Sequence, residues 1–167
     1  AYSEHARRYL ADCGLPKERT YVTGSPMAEV LHANLPEIEA SNVHEKLGLE
    51  KGRYILLSAH REENIDTEEN FLSLFNAVNA LAEKYDMPIL YSCHPRSKKR
   101  LDESGFKLDA RVIQHEPLGF HDYNCLQMNA FAVVSDSGTL PEESSFFTSI
   151  GKPFPAVCIR TSTERPE

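Results

Sequence analysis

Apolar positions along the chain follow two rhythms. Short apolar stretches occur in "YILLS" (54–58), "PILYSCHP" (88–95), "RVIQH" (111–115), "FAVVSDSG" (131–138) and "PAVCIR" (155–160). Runs of that length read as strands buried on both faces. Between the first two, Phe71, Leu74, Phe75, Val78, Leu81, Ala82 and Tyr85 recur every three or four positions, which predicts a long amphipathic helix. Asp66 and Glu69 stand at capping-box spacing before it, with Asp66 as the expected cap.

Further helices are expected over residues 2–13, where Ser3 can cap and Gly14 can stop the helix, and in "PMAEVLHAN", with Pro26 in its first turn. Residues 43–47 give a weak helix. "SKKRLDES", "HDYNCLQMNA" and "TLPEESSFFTSIG" give three more. "TYVTG" reads as a short strand ending at Gly24. Strands alternating with helices across short loops predict an α/β fold: a Rossmann-like parallel sheet with helices on both faces. Residues 1–34 read as a segment leading in (helix, short strand, helix), and residues 35–167 as the sheet domain.

In such sheets ligands sit beyond the carboxyl ends of the strands. The polar groups placed there are His60 and Arg61, His94 and Arg96, His115 and Glu116, Asp136 to Gly138, and Arg160. Histidine or arginine at most strand ends makes this rim a candidate site for an anion.

Composition narrows the class of ligand. The formal net charge of −7 argues against non-specific nucleic-acid binding, which needs a basic face. A few cations and backbone amides can still make a local positive site. The cysteines, Cys13, Cys93, Cys125 and Cys158, are widely spaced with no C-x-x-C pair, so neither a structural zinc nor a disulfide framework is expected. No apolar stretch is long enough to span a membrane, and a reduced cytoplasmic setting is the default expectation. The chain opens at Ala1 and stops in "TSTERPE" with no closing element, so we expect a piece of a longer polypeptide.

Particular constellations carry candidate chemistry. "SDSGTLPEE" (135–143) is a small turn leading from a buried strand into a helix. Ser137, Gly138 and Thr139 would present backbone N–H groups at a helix N-terminus, where the macrodipole favours an anion. Glu142 and Glu143 lie one turn on, and a carboxylate there suits a pair of ribose hydroxyls. The same residues also suit an ordinary capped helix. His60 is open to three roles: general acid, phosphate ligand or structural histidine. Glu62 and Glu63 read as solvated or paired with an arginine. "HPRS" is either a ligand contact or a basic loop. No P-loop, G-x-G-x-x-G, H-E-x-x-H or G-x-S-x-G motif occurs, so neither a metal site at His60, His94 and Glu142 nor a serine nucleophile is supported.

"SAHREEN", "SDSGTLPEES", "GKP" and "RTSTERPE", in this order and spacing, closely resemble the non-hydrolysing UDP-N-acetylglucosamine 2-epimerases. "VTGSPMAEVL" is similar to that family's "TGNP" segment, with serine replacing asparagine. The resemblance implies the second domain of a glycosyltransferase-B-like, two-domain fold, with the N-terminal domain absent from this chain and the C-terminus truncated. It implies a cytoplasmic homodimer that needs no metal or redox cofactor. Its substrate would be a UDP-sugar, UDP-N-acetylglucosamine being turned into UDP-N-acetylmannosamine for surface polysaccharides. UDP would be eliminated and added back, with the carbon-2 carboxylates in the missing domain. By the same resemblance Ser137, Gly138, Thr139, Glu143 and Arg165 contact UDP, and His60 is the catalytic histidine beside the diphosphate. Thr139 departs from a usual glycine. Arg61 and His94 match a second, regulatory UDP-sugar site, although "HPRS" departs from the usual sequence there. "REENID", "HPRS", "GFHDYN" and "SDSGTLPEES" also resemble the branch that forms UDP-N-acetyl-L-fucosamine from a UDP-linked 2-acetamido-2,6-dideoxy-L-talose. A glycosyltransferase of the same fold and a non-catalytic UDP-sugar-binding domain are the competing readings.

Overall fold

The computed structural model describes residues 1–160. Arg165, expected at the UDP site, lies outside them. Five parallel strands form one sheet: β1 (Ile55–Ser58), β2 (Ile89–Ser92), β3 (Val112–His115), β4 (Ala132–Ser135) and β5 (Ala156–Cys158), in the order β3-β2-β1-β4-β5. The expected architecture is therefore formed. Helices α1 (Glu4–Asp12), α2 (Met27–Ala33), α3 (Leu35–Glu39) and α4 (Val43–Leu47) precede the sheet. After β1 come α5 (Glu62–Ile65) and α6 (Glu68–Tyr85), and then α7 (Pro95–Ser104), α8 (Phe120–Met128) and α9 (Leu140–Ser149) follow β2, β3 and β4.

Period-two alternation explains how unbroken apolar strands serve two cores. Leu56, Leu90 and Val133 face one side, where they meet Leu31 of α2, Ile38 of α3, Leu126 of α8 and Phe147 of α9. Ile55, Leu57, Ile89, Tyr91 and Val134 face the other, against Ile65, Leu101 and the Phe71, Phe75, Val78 and Ala82 stripe of α6. Leu74 and Leu81 are only partly buried and Tyr85 is exposed, so the buried stripe of α6 is narrower than its sequence pattern.

Two local expectations change. No strand forms over residues 20–24. That stretch bonds to Ala1 (Thr23 N–H to Ala1 O, 3.0 Å) and back to Lys17 (Thr20 N–H to Lys17 O, 3.2 Å), whereas a strand needs a paired neighbour along its length. Thr67, not Asp66, caps α6: its hydroxyl accepts the Asn70 N–H at 3.2 Å, while Asp66 accepts from Arg96 Nη2 at 2.6 Å. Leu31 of α2 is fully buried in the sheet's own core.

A buried polar chain closes the end of the sheet away from the ligand rim. The Tyr54 hydroxyl donates to the Leu126 carbonyl, so His44 Nε2–H donates to that hydroxyl at 3.0 Å. The Cys125 thiol faces His44 Nδ1 at 3.9 Å. Burial, helped by Lys51, holds His44 below its ordinary value of 6.5.

Two predictions follow from this core. Phe75 packs against Phe71, Tyr91 and Phe106, with ring centroids at 4.8, 5.6 and 6.2 Å, and Phe75→Ala should cost about 3–5 kcal/mol in urea unfolding. Because the folded state lowers the His44 pKa, its contribution to stability is complete above pH 6.5. It is lost as pH falls towards the folded value, by at most about 1.4 kcal/mol per pH unit. Urea midpoints between pH 5 and 7.5 should show this slope, and His44→Gln should flatten it.

Candidate functional site

Register decides which residues can meet. Ser58 pairs with Ser135, Ser92 with His115, and Ser135 with Cys158, so all five carboxyl ends align on one rim. The strand order reverses between β1 and β4. The chain leaves these neighbours towards opposite faces, which opens a crevice at the switch point. The turn after β1 carries His60 and Arg61, and the turn after β4 carries Asp136 to Thr139.

Asp136, fully buried, joins the two turns. Its Oδ2 accepts the backbone N–H groups of His60 and Arg61, both at 2.9 Å, and Asn64 Nδ2 at 3.1 Å. Its Oδ1 stands 3.2 Å from His60 Nδ1. Arg61 Nε donates to the Asp136 carbonyl at 2.8 Å. Asn64 Nδ2 also donates to the Ile159 carbonyl at 2.9 Å, which ties the same turn to the end of β5.

The start of α9 is arranged for an anion. Thr139 is its N-cap but makes no side-chain capping bond, so first-turn N–H groups remain for a ligand. Gly138 lies under two guanidinium groups. A Cβ added there would sit 3.3 Å from Arg160 Nη1 and 3.6 Å from Arg61 Nη2. One turn on, Glu143 is braced at both oxygens. Thr139 Oγ1 donates to Oε1 at 2.6 Å, and the fully buried Gln127 donates to Oε2 at 2.9 Å. Because Thr139 gives its proton to Glu143, the Ser137 hydroxyl, 3.0 Å away, is the donor to Thr139. Beneath them Tyr123 of α8 is pushed up to about 12, by burial first and by the Glu143 charge second. Its phenol stays neutral at any ordinary pH.

His60, Arg61, Ser137, Gly138, Thr139 and Glu143 therefore share the β1–β4 junction. His94 does not join them. It is exposed and caps α7, its Nδ1 accepting the Arg96 N–H at 3.3 Å. Glu62 turns outward and lies 3.5 Å from Arg96 Nη1, so the stretch after His60 is a short helix braced against α7 and not a free loop. Sequence reasoning placed Asp136 and Arg160 on the strand-end rim without a role of their own, and did not single out Asn64 or Gln127. Gln127 carried no signal, because its partner Glu143 is brought to it only by packing. Among the described residues, no group of three or more His, Cys, Asp or Glu side chains could hold a metal ion, and no helix is long and apolar enough to cross a membrane.

A cationic cradle at a helix N-terminus, with a braced carboxylate one turn on, can hold a diphosphate and the diol of an attached ribose. The site is an open rim: the His60 side chain is half exposed.

Comparison with known proteins agrees with this chemistry. The family model described as UDP-N-acetylglucosamine 2-epimerase matches residues 1–167. The UDP-N-acetylglucosamine 2-epimerase of Methanocaldococcus jannaschii is 30% identical over 174 residues, which cover 100% of this chain and 46% of that protein. Its crystal structure in complex with UDP-GlcNAc and UDP aligns with a TM-score of 0.86, at 30% identity over 99% of this chain and 46% of that one. The structure of UDP-N-acetylglucosamine 2-epimerase from Rickettsia bellii also aligns with a TM-score of 0.86, at 38% identity over 99% of this chain and 43% of that one. The chain thus spans somewhat less than half the length of these relatives, which have a glycosyltransferase-B-like fold.

Thr139→Val removes a charge-assisted bond to a half-buried carboxylate and should cost about 1 kcal/mol. The expected thermal shift is about 2–4 °C downward, measurable by calorimetry.

Proposed function

Because the chain belongs to the UDP-N-acetylglucosamine 2-epimerase family, we propose that residues 1–167 form the UDP-binding half of a nucleotide-sugar 2-epimerase. One observation carries the reading: Gly138 at the α9 N-terminus lies under Arg61 and Arg160, with Glu143 braced one turn away. Ser137, Gly138 and Thr139 hold the diphosphate at the α9 N-terminus, the two guanidiniums neutralise it, and Glu143 accepts from the ribose hydroxyls. The family resemblance alone assigns Arg165 to the nucleotide. Arg61 serves the diphosphate from this position. His94 keeps its exposed Nε2 edge for a second, regulatory UDP-sugar.

The reaction breaks the bond between the anomeric carbon and the β-phosphate oxygen. The electron pair passes to that oxygen while a base takes the carbon-2 proton, which leaves a glycal. Returning the proton to the opposite face and re-adding UDP inverts carbon 2. Negative charge grows on the diphosphate during cleavage, and fixed positive groups stabilise it without reorganising. Arg61, Arg160 and the α9 N-terminus supply them, and His60 adds a hydrogen bond to the leaving oxygen. The carbon-2 carboxylates come from a second domain outside this chain. The setting we propose is a cytoplasmic homodimer that interconverts UDP-N-acetylglucosamine and UDP-N-acetylmannosamine for surface polysaccharide, and it rests on the family alone.

Calorimetric titration of UDP into this chain tests the handle. Glu143→Ala should weaken binding at least tenfold, the loss expected when hydrogen bonds to a charged acceptor disappear. Equal affinities, with both proteins folded, would remove Glu143 from the site. The full-length protein should incorporate one solvent deuteron at carbon 2 of UDP-N-acetylglucosamine, and residues 1–167 alone should incorporate none.

A further inference from the structure

Asp136 carries a charge that nucleotide binding does not explain. Burying a carboxylate costs several kcal/mol unless its oxygens are satisfied. Oδ2 is satisfied by the N–H groups of His60 and Arg61 and by Asn64. That duty needs one acceptor oxygen, which an asparagine would also supply. Oδ1 is surplus to it: among the described residues, no hydrogen-bond partner in regular geometry reaches this oxygen. The group it faces is His60 Nδ1, at 3.2 Å. Unliganded sites often hold such contacts long, and they tighten when substrate binds. A carboxylate in place of an amide makes sense if the imidazole is its partner.

We propose that Asp136 is a positioning residue for His60. In the liganded site it holds the Nδ1 proton of the doubly protonated ring, whose Nε2–H turns out towards the leaving diphosphate. The inference rests on the epimerase reading for the identity of that anion, while the Asp136–His60 relation stands on the geometry alone. The charged group that faces the ring is Asp136 from the end of β4, while the guanidiniums of Arg61 and Arg160 lie over Gly138 in the adjoining turn. During cleavage the electron pair of the carbon–oxygen bond moves to the β-phosphate oxygen, and the Nε2–H hydrogen bond strengthens on it. On re-addition the same oxygen is released to carbon 1, and His60 ends the cycle unchanged.

The test uses the full-length protein and its variants Asp136→Asn, His60→Ala and the double variant. Nitrogen-15 NMR of the histidine rings, at a pH where His60 is neutral, should show the Nδ1–H tautomer in the wild type. In Asp136→Asn the amide would donate to Nδ1, and the tautomer should switch to Nε2–H. The kcat for UDP-N-acetylglucosamine should fall about 10²-fold in this variant, with KM within about twofold. In the His60→Ala background the same substitution should change kcat by less than about twofold. An unchanged tautomer, or an equal loss in both backgrounds, would overturn the proposal. If Asp136→Asn does not fold, a neutral Nε2–H tautomer in the wild-type protein overturns it by itself. A protein that shows the tautomer switch but no turnover of this substrate would sink the epimerase reading and leave the Asp136–His60 relation intact.

Discussion

The site depends on one buried carboxylate. Asp136 sits where two strands that are neighbours in space, but far apart in sequence, release their turns. The Asp136 N–H continues the ladder to Ser58 at 3.1 Å, its side chain gathers the turn after β1, and its carbonyl holds Arg61. A charge inside protein organises its surroundings because leaving any of its acceptor sites unmet is expensive. Here that demand fixes the backbone of His60 and Arg61 and aims Arg61 across the start of α9. Without it, β1 would end in a loop with no reason to adopt one shape.

The parallel sheet provides the rigid frame for that carboxylate. Alternating side chains serve two cores at once, so both faces of the central strands are covered and the rim alone is left for chemistry. The polar chain of His44, Tyr54 and Cys125 lies at the opposite end of the sheet, where it seals the interior without touching ligand. Stability is thus concentrated at one end and recognition at the other.

The local field at the rim opposes the chain's overall charge. A chain of net charge −7 still presents Arg61, Arg160 and the α9 N-terminus to one small volume. Acidic residues near the site are turned to other uses. Glu143 is braced by Thr139 and Gln127, and Glu62 and Asp66 pair with Arg96 on the outside of the turn. Nearby carboxylates therefore do not cancel the cradle.

The sequence by itself determined the fold class and the rim. Short apolar runs alternating with a three-to-four-residue stripe can be buried in few other ways, and strand-end residues can be read once the strands are. It also marked the start of α9, because a small turn before a helix has a local meaning. It misjudged features whose partners are distant in the chain. Asp66 looked like a cap because the capping rule sees only neighbours, whereas Arg96 claims it across 30 residues. The stretch at residues 20–24 has strand composition but no neighbouring strand. The tertiary structure alone decided that Asp136 meets His60 across 76 positions, that Gln127 braces Glu143, and that Arg160 returns over Gly138. These contacts come from strand order and register, which no local pattern of residues encodes.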